Sequence, residues 1–462
     1  MLLTITVLRD FHQQEKTLTV DSVVEKETGE SYPHYRHNFG AFLVDDIFLR
    51  LAMAFINSDT VLPAFVRQLT DSPLLIGLNG AIRTAGGVLS QLIAANYLSG
   101  RAQKKRPMLI SAAVGRPVWF VLTLTLVLGA ARYPALMLSI VIVGSALFWL
   151  TDALVLVAWL DVLGKAIPTR RRGRLFGLAQ VVSGLLTVGA GLAINYVLSD
   201  AGPRFPHNYA VLFLVGGTLL ALSWFAMAAI KEPREALRTD DIASRTPFLR
   251  RLTRIWRRDR DFRLFIAVRS LVELSSLAIP FYVIFATDRL ELGQEVLGSF
   301  TAAQVMGHMA GGVILGVLHE RCGGRRTIQA GAGIGVLAPL WALLLSLWMP
   351  TGHPWLVYGY SLVFVALGVL QANFSQGFVN YLLDLAPADG RTTYIAMCNT
   401  LSGVVLWPTT LVGGVILKVT GNSYPTLFAI TTAVVGLGLF STAWLAEPRA
   451  RSNPHSPPAT AT

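Results

Sequence analysis

The 462-residue chain is poor in charge and in cysteine, and both shortages narrow what it can be. Charged residues make up only 14% of the sequence, whereas hydrophobic residues make up 53% and the mean hydropathy is +0.54. A soluble domain of this size needs more charge to cover its surface, so the composition excludes an ordinary soluble protein. Two cysteines, Cys322 and Cys398, are too few for a disulfide framework and form no metal-ligand motif.

Signatures of enzymes and of metal or cofactor sites are also missing. No Gly-x4-Gly-Lys-Ser/Thr loop is present, so nucleotide hydrolysis is not expected. His319-Glu320 has Gly323 where a zinc protease would place its second histidine. Gly331, Gly333 and Gly335 imitate a dinucleotide loop but lie within an apolar run, where close helix packing explains them better. We therefore predict no metal, no cofactor and no enzymatic activity.

Long apolar runs recur along the whole chain. Each run is long enough to cross a hydrocarbon core of about 30 Å as a helix, and none alternates as a membrane strand would. Twelve transmembrane spans are predicted at approximately 39–66, 74–98, 108–129, 135–164, 175–199, 209–230, 262–286, 294–319, 327–349, 355–384, 392–419 and 425–446. The sequence thus predicts an all-α integral membrane protein of two pseudo-symmetric six-helix bundles.

Composition divides the chain into five segments. They are a polar N-terminal tail (1–37), an N-terminal six-helix bundle (38–230), a basic linker (231–261), a C-terminal six-helix bundle (262–446) and a Pro- and Ser-rich tail (447–462) that is predicted to be disordered. The loops after even-numbered spans, the linker included, carry 24 Lys/Arg against five in the opposite loops. The positive-inside rule then puts the linker and both termini in the cytoplasm of a cell-membrane protein.

The linker contains a basic amphipathic stretch. From Pro247 to Phe262, apolar residues recur at helical spacing among arginines. Such a helix is expected to lie on an anionic inner leaflet, and a calmodulin target is the alternative interpretation. The net charge of +12 is interpreted as loop charge, and no nucleic acid partner is predicted.

The two bundles resemble each other at an offset of roughly 220 residues, the plan of a transporter built from parallel repeats. Arg101 aligns with Arg321, and the segment Pro168–Arg172 aligns with Pro387–Arg391. The loop after the eighth span reads Gly316-Val-Leu-His-Glu320-Arg321-Cys-Gly323-Gly324-Arg325-Arg326. It resembles the loop signature of the major facilitator superfamily, Gly-x3-Asp-Arg-x-Gly followed by a basic pair, with Glu for Asp and one inserted glycine. The copy after the second span keeps Arg101 but has no acid.

The resemblance covers about 38–446 and implies a latch on the cytoplasmic side. In this family, basic residues of the signature loops pair with acids at the inner ends of neighbouring helices. The implied gate residues are Arg101, Asp161, Gly316, Glu320, Arg321, Gly323, Arg325 and Asp384. The alternative is that these basic residues only enforce topology. The family's drug-antiporter subgroup is disfavoured, because Gly189-Ala190 stands where the antiporter signature of span 5 ends in Gly-Pro.

Charged residues inside the predicted spans are costly, so they are expected to face a cavity or each other. The candidates for coupling are Asp46, Arg50, Asp59, Arg83, Asp152, Arg269, Glu273 and His308. Asp46 and Arg50 are four residues apart, as are Arg269 and Glu273, so each pair can meet on one helix face. The repeat exchanges their signs, so Arg50 is expected to approach Glu273, unless both pairs are only local ones.

Glu273 is the first choice for a proton-carrying group, because it lies near the predicted midplane beside a counter-charge. Asp152 is the alternative, because no charge lies within a turn of it. His308 is either a packing residue or a proton relay. In span 10, Gln371, Asn373, Gln376 and Asn380 can hydrogen-bond a substrate, or bind neighbouring helices together.

These features predict a monomeric secondary transporter that works by alternating access, without its own ATP site. Proton-coupled movement of a small organic solute is the first interpretation, with export favoured over uptake. A sugar or metabolite uptake carrier is the second. A non-transporting membrane scaffold or sensor is the third, and the many intramembrane charges disfavour it.

Overall fold

The structure, a computed structural model, describes residues 34–98, 101, 103–233, 255–348, 355–387 and 391–447, without the side chains of residues 87–96 and 392. In these ranges the secondary structure is helical, with no β-strand. Most of the predicted N-terminal tail and linker, and nearly all of the predicted C-terminal tail, lie outside the described residues. The domain boundaries therefore stay predictions.

The helices fall into two sets on either side of the linker. The first set comprises α1 (Tyr35–Phe55), α2 (Val61–Leu69), α3 (Pro73–Leu98), α4 (Lys105–Gly115), α5 (Val118–Val127), α6 (Pro134–Ala166), α7 (Thr169–Leu198) and α8 (His207–Ala229). The second comprises α9 (Arg260–Glu273), α10 (Ile279–Asp288), α11 (Val296–Cys322), α12 (Gly324–Trp348), α13 (Trp355–Ala372), α14 (Phe378–Leu385), α15 (Arg391–Leu406), α16 (Thr409–Val419) and α17 (Tyr424–Ser441).

Ten helical segments in the described ranges are long and apolar enough to cross a membrane. They are 105–127, 134–166, 169–198, 207–229, 260–288, 296–322, 324–348, 355–385, 393–419 and 424–444. The first two predicted spans correspond to α1 with α2 and to α3, which are not among the ten. An all-helical multi-pass membrane protein is confirmed, whereas the count of twelve spans stays a prediction.

Several predicted spans are interrupted rather than continuous. Pro117 lies between α4 and α5 and Pro408 between α15 and α16, where the missing N–H and the ring prevent a regular helix. A 3-10 segment (Leu274–Leu277) follows α9, and a π-helical segment (Asn373–Gly377) joins α13 to α14. The apolar runs that predict these spans do not reveal such interruptions, because hydropathy carries no information about backbone geometry.

The outer surface of the helices is apolar. Leu192, Val313 and Phe440 are each more than 60% exposed, which lipid tolerates and water would not. Exposed aromatic side chains lie near the helix ends on both sides, with Tyr133, Tyr196, Trp348 and Tyr358 away from the linker and Tyr97 and Trp444 towards it. Such a ring of Trp and Tyr is typical of a membrane–water interface.

The packing pattern of the first helix set recurs in the second. Helix α1 packs on α8 and α7, just as α9 packs on α17 and α15, and α3 packs on α6 as α11 packs on α13. The two sets, called here the first and second halves, contact each other through α3 with α16 and α7 with α11. The side that holds the linker is called the linker side, and the opposite side the far side.

Hydrophobic clusters show which side is closed. On the far side, one cluster takes residues from both halves, including Phe65, Phe213, Phe285 and Phe300. On the linker side, each half has a separate cluster, around Phe42 in the first half and around the stacked rings of Phe265 and Tyr381 in the second. The halves are thus packed together on the far side and hold separate cores on the linker side.

Glycines permit the close contact on the far side. A side chain on Gly191 of α7 would collide with the backbone carbonyl of Gly298 on α11, whereas one on Gly189 would meet open space. Nearby, Asn195 Nδ2 donates a 2.8 Å hydrogen bond to Ser299 Oγ across the halves.

Gly191→Leu should push α7 away from α11 and open the far side, because backbone atoms cannot yield as a side chain end can. In a background without the native cysteines, a disulfide between Asn195→Cys and Ser299→Cys reports the contact. We expect Gly191→Leu to reduce its yield several-fold and Gly189→Leu to leave it unchanged. Equal yields in both variants would show that this contact does not hold the halves together.

Candidate functional site

The connection between α1 and α2, residues 56–60, is a turn that holds a carboxylate inside the molecule. Asn57 Oδ1 accepts hydrogen bonds from the backbone N–H groups of Asp59 (2.7 Å) and Thr60 (3.1 Å). An Asn side chain here satisfies donors that the interrupted helix leaves open. The turn thus fixes Asp59, whose side chain is only 7% exposed.

Asp59 joins the two halves. Its Oδ1 lies 3.0 Å from Nη1 of Arg83 on α3. Its Oδ2 accepts hydrogen bonds from Nε2 of Gln304 on α11 (2.8 Å) and from Nε2 of Gln371 on α13 (3.1 Å). Hydrogen bonds to a charged group gain strength where water is scarce. We call these four residues the Asp59 cluster.

Next to the Asp59 cluster, a chamber of about 470 Å³ lies between the halves. A volume of this size suits a small organic molecule. The predicted residues that line it are Asp46, Arg50, Asp59, Arg83, Asp152, His308 and Gln371. The others are Leu49, Met53, Ala54, Asn57, Ser58, Trp149, Gln180, Ser183, Gly184, Thr187, Gln304, Val305 and Met309. The structure therefore brings seven sequence candidates to one cavity.

The two charge pairs with exchanged signs are local pairs in this structure. Arg50 Nε lies 2.9 Å from Asp46 Oδ1 on α1, and Arg269 Nε lies 2.8 Å from Glu273 Oε1 on α9. Neither Arg269 nor Glu273 is among the residues that line this chamber. The expected approach of Arg50 to Glu273 is not formed, because each arginine is held one turn away on its own helix.

The polar residues of span 10 do not act as one set. Gln371 lines the chamber, whereas Asn373 is fully buried at the start of the π-helical segment and donates a long hydrogen bond of 3.4 Å to the carbonyl of Ile328. The side chain of Gln376 lies beside Gly312 of α11. Asn380, on α14, is half-buried. The π-helical segment shifts the helical register, so the predicted common face is divided.

A second buried polar group lies inside the first half. Asp45 Oδ2 accepts a 2.7 Å hydrogen bond from Trp159 Nε1, and Asp45 Oδ1 accepts one from the Ser223 hydroxyl. Arg116, which is 5% exposed, donates to Ser223 Oγ (3.1 Å) and to the Leu220 carbonyl (2.7 Å). These contacts join α1, α6, α8 and the break between α4 and α5, and they compensate the charge of Asp45 within the bundle.

An ion pair between the halves lies at the far side. Arg67 Nε is 2.7 Å from Asp288 Oδ2, and Arg67 also pairs with Asp71 of its own half. The hydroxyls of Thr60 and Thr301, which also belong to different halves, are 2.7 Å apart. Sequence reasoning missed the Arg67–Asp288 pair, although the two residues are 221 positions apart, close to the repeat offset.

On the linker side, the predicted gate acids have partners within their own halves. Asp161 accepts from Nζ of Lys104 (2.6 Å) and Lys165 (2.7 Å). Asp384 lies 3.3 Å from His319 Nε2. Arg101, by contrast, lies 4.1 Å over the ring of Tyr97.

The signature loop of the second half turns at a glycine. Gly323 has φ +85° and ends α11, a conformation that favours glycine. Gly316, Glu320 and Arg321 precede it on α11, and Arg325 follows on α12. This loop contacts Glu447, which accepts hydrogen bonds from the backbone N–H groups of Gly324 (3.1 Å) and Arg325 (3.2 Å).

The first half repeats this cap. Glu232 accepts from the backbone N–H groups of Lys104 (3.0 Å) and Lys105 (2.9 Å) at the start of α4. A carboxylate is favoured there because helix N-termini carry a partial positive charge. The signal was present in the sequence, since both halves end in Glu-Pro-Arg, at 232–234 and 447–449. Glu447 is the first residue of the tail that the sequence predicts to be disordered, and in the structure it caps α12.

Comparison with known proteins gives a family and a fold. The family model for the Major Facilitator Superfamily matches residues 47–407. Similar solved structures include the nucleoside transporter NupG (TM-score 0.64, 11% identity, covering 88% of this chain and 99% of that one). A bacterial homologue of the iron transporter ferroportin in an inward-facing state has a TM-score of 0.60 at 15% identity over 88% of this chain and 97% of its own. A POT family transporter in complex with a thioalcohol-conjugated peptide has a TM-score of 0.62 at 12% identity, covering 91% of this chain and 100% of its own. No curated protein matches by sequence.

Reversing the charge of Asp288 should weaken closure of the far side, because Asp288→Arg places two cations together. A cysteine at Ser183, on the chamber wall, reports access from the far side to an impermeant thiol reagent. In a background without the native cysteines, we expect its labelling rate to rise several-fold in Asp288→Arg. The rate should return to that of the parent when Arg67→Asp is added, because the two charges are then opposite again.

Asp71→Asn is the matched control, because it removes the other partner of Arg67 without affecting the contact between halves. Its labelling should match that of the parent. If Asp288→Arg and the parent label at the same rate, the ion pair does not help to close the far side.

Proposed function

This chain belongs to the major facilitator superfamily, and we propose that, as a secondary transporter, it binds a small organic solute in the chamber and moves it by proton-coupled alternating access. The observation that carries the proposal is the Asp59 cluster. Residues of both halves meet there on one carboxylate at the edge of the chamber, so a rearrangement of the halves must change the chamber.

The arrangement of contacts supports alternating access. Joint packing, Gly191 against Gly298 and the Arg67–Asp288 pair hold the far side, whereas each half keeps its own core on the linker side. A rigid-body rocking of one half against the other would separate the far-side contacts and expose the chamber there. The interrupted first and seventh spans, which supply α2 and α10 at the far side, pack on each other and would part in that motion.

Asp152 is better placed than Glu273 to carry the coupling proton. Asp152 lines the chamber and makes no hydrogen bond or ion pair with the described residues. Glu273 is paired with Arg269 and is 4% exposed. A carboxylate without a counter-ion in a low-dielectric site gains most from binding a proton, and exposure to the chamber gives the proton a route. The sequence-based preference for Glu273 is therefore reversed in this proposal.

Export is favoured over uptake, since a proton that enters from the far side and leaves on the linker side can drive a solute the other way through one site. An uptake carrier for a sugar or metabolite is the second candidate, supported by the amides of Gln180, Gln304 and Gln371, which suit hydroxyl-rich solutes. We also propose that the protein is a monomer in the cell membrane with both termini cytoplasmic, and that its basic linker lies on the anionic inner leaflet.

Everted membrane vesicles with a trapped pH dye test coupling and direction together. Thermal-shift screening of the purified protein against a solute library first identifies a ligand. With an acidic lumen, adding that solute outside should raise luminal pH if it exchanges for protons, whereas a symporter would lower it.

Asp152→Asn should abolish the dye response, while Glu273→Gln, the same chemical change in a paired carboxylate, should keep most of it. The reverse pattern would assign the proton to Glu273. A solute that moves without any dye response in the parent would reject proton coupling.

A further inference from the structure

The charges buried in the first half do not balance. Three aspartates have an arginine partner. Asp46 and Asp59 form ion pairs with Arg50 and Arg83, and Asp45 is linked to Arg116 through the Ser223 hydroxyl, to which both are hydrogen-bonded. Asp152 is the fourth aspartate of this region. Among the residues that the structure describes, the cation that acts on it through space is Arg116, and that guanidinium already donates to Ser223 Oγ and to the Leu220 carbonyl.

An unbalanced carboxylate in a low-dielectric chamber requires a proton or a cation. The free-energy cost of leaving such a charge uncompensated is several kcal/mol or more, so the group is neutralised or paired. Arg50 and Arg83 line the same chamber but are bound to Asp46 and Asp59, and therefore neither is free to pair with Asp152. A cation for Asp152 must come from a ligand.

The wall around Asp152 suits an organic cation. Trp149 lies three residues earlier on α6, so both side chains are on one helix face, and both line the chamber. An indole ring attracts ammonium groups through its π face, with a gain of about 0.5–2 kcal/mol. Met53 and Met309 supply adaptable apolar surface, and Gln304 and Gln371 supply polar groups at the edge with the Asp59 cluster.

We infer that the transported solute is a small organic cation, whose ammonium group binds the Asp152 carboxylate beside Trp149. This inference rests on the proposed function and adds the charge class of its substrate. It disfavours anions, because both chamber arginines are already paired, and it disfavours neutral sugars, which would leave the carboxylate charge uncompensated.

The same carboxylate then couples the two fluxes. Binding of the cation to protonated Asp152 breaks the O–H bond and releases the proton to water, and a proton that returns displaces the cation. One monovalent cation exchanges for one proton, with no change in the charge of the occupied site. Acidic pH should therefore weaken cation binding, by up to tenfold in Kd per pH unit while Asp152 is protonated.

Other charged groups around α6 must be considered in that pH dependence. They are Asp45, Asp46 and Arg50 of α1, Asp59 of the turn, Arg83 of α3, Arg116 beside α4 and His308 of α11. The aspartates among them are bound to arginines or to hydroxyl and indole donors. Asp152 is the carboxylate of this region that has no hydrogen-bond or ion-pair partner among the described residues.

The test is binding of matched probes to the full-length protein. Alkyl- and arylammonium ions are compared with neutral isosteres that have carbon in place of nitrogen, such as choline with 3,3-dimethylbutan-1-ol. At least one cation should raise the melting temperature while its isostere does not. Asp152→Asn should weaken cation binding at least tenfold, Asp152→Glu should retain it, and Asp200→Asn, the same change at an exposed far-side residue, should have no effect.

Proton release in weakly buffered detergent solution is the second readout. The parent should release up to one proton for each cation bound, and Asp152→Asn none. Isosteres that bind as well as the cations, cation binding that survives in Asp152→Asn, or no cation bound at all would each overturn the inference. If neutral or anionic solutes are bound and transported instead, the proposed transport function stands and the inference of a cationic solute falls. If no solute of any charge is bound or moved, both fall.

Discussion

The structure depends on how carboxylates are satisfied away from water, and Asp59 is the clearest case. An interruption of the first span lets Asn57 hold the turn, and the turn aims Asp59 at Arg83, Gln304 and Gln371. Because two of these partners belong to the other half, the far-side packing and the chamber share one polar junction. A helix that ran on without this turn would carry the carboxylate elsewhere, and the halves would lose the polar contact that they share at the edge of the chamber.

The other buried charges follow the same rule within each half. Pairs four residues apart, such as Arg269 with Glu273, need no partner from a distant helix and therefore can persist while the halves move. The group formed by Asp45, Ser223 and Arg116 stabilises the first half as a unit. Rigid halves and a breakable junction suit the alternating access proposed above, and in that proposal Asp152 binds the ligand or the proton.

Much of this organisation was predictable from the sequence, because it is local or repeated. Hydropathy predicts the membrane helices, the positions of Asp46 and Arg50 predict a local pair, and the loop signature predicts the superfamily, which the family match confirms. The partners of Asp59 were not predictable, because Gln304 is 245 residues away and no local pattern relates the two. The internal repeat could have predicted two further features. Glu232 and Glu447 cap equivalent helices, and Arg67 and Asp288 are separated by nearly the repeat offset.

The central claim is that the Asp59 cluster joins the two halves and so helps to keep the far side closed, and distances between spin labels test it most directly. Labels at Arg132 and Thr420 report the far side, and labels at Arg174 and Arg326 report the linker side. Asp59→Ala should lengthen the first distance by several ångströms and shorten the second, whereas Asp46→Ala, which breaks only a pair within α1, should change neither. Identical distance distributions in Asp59→Ala and the parent would contradict the account.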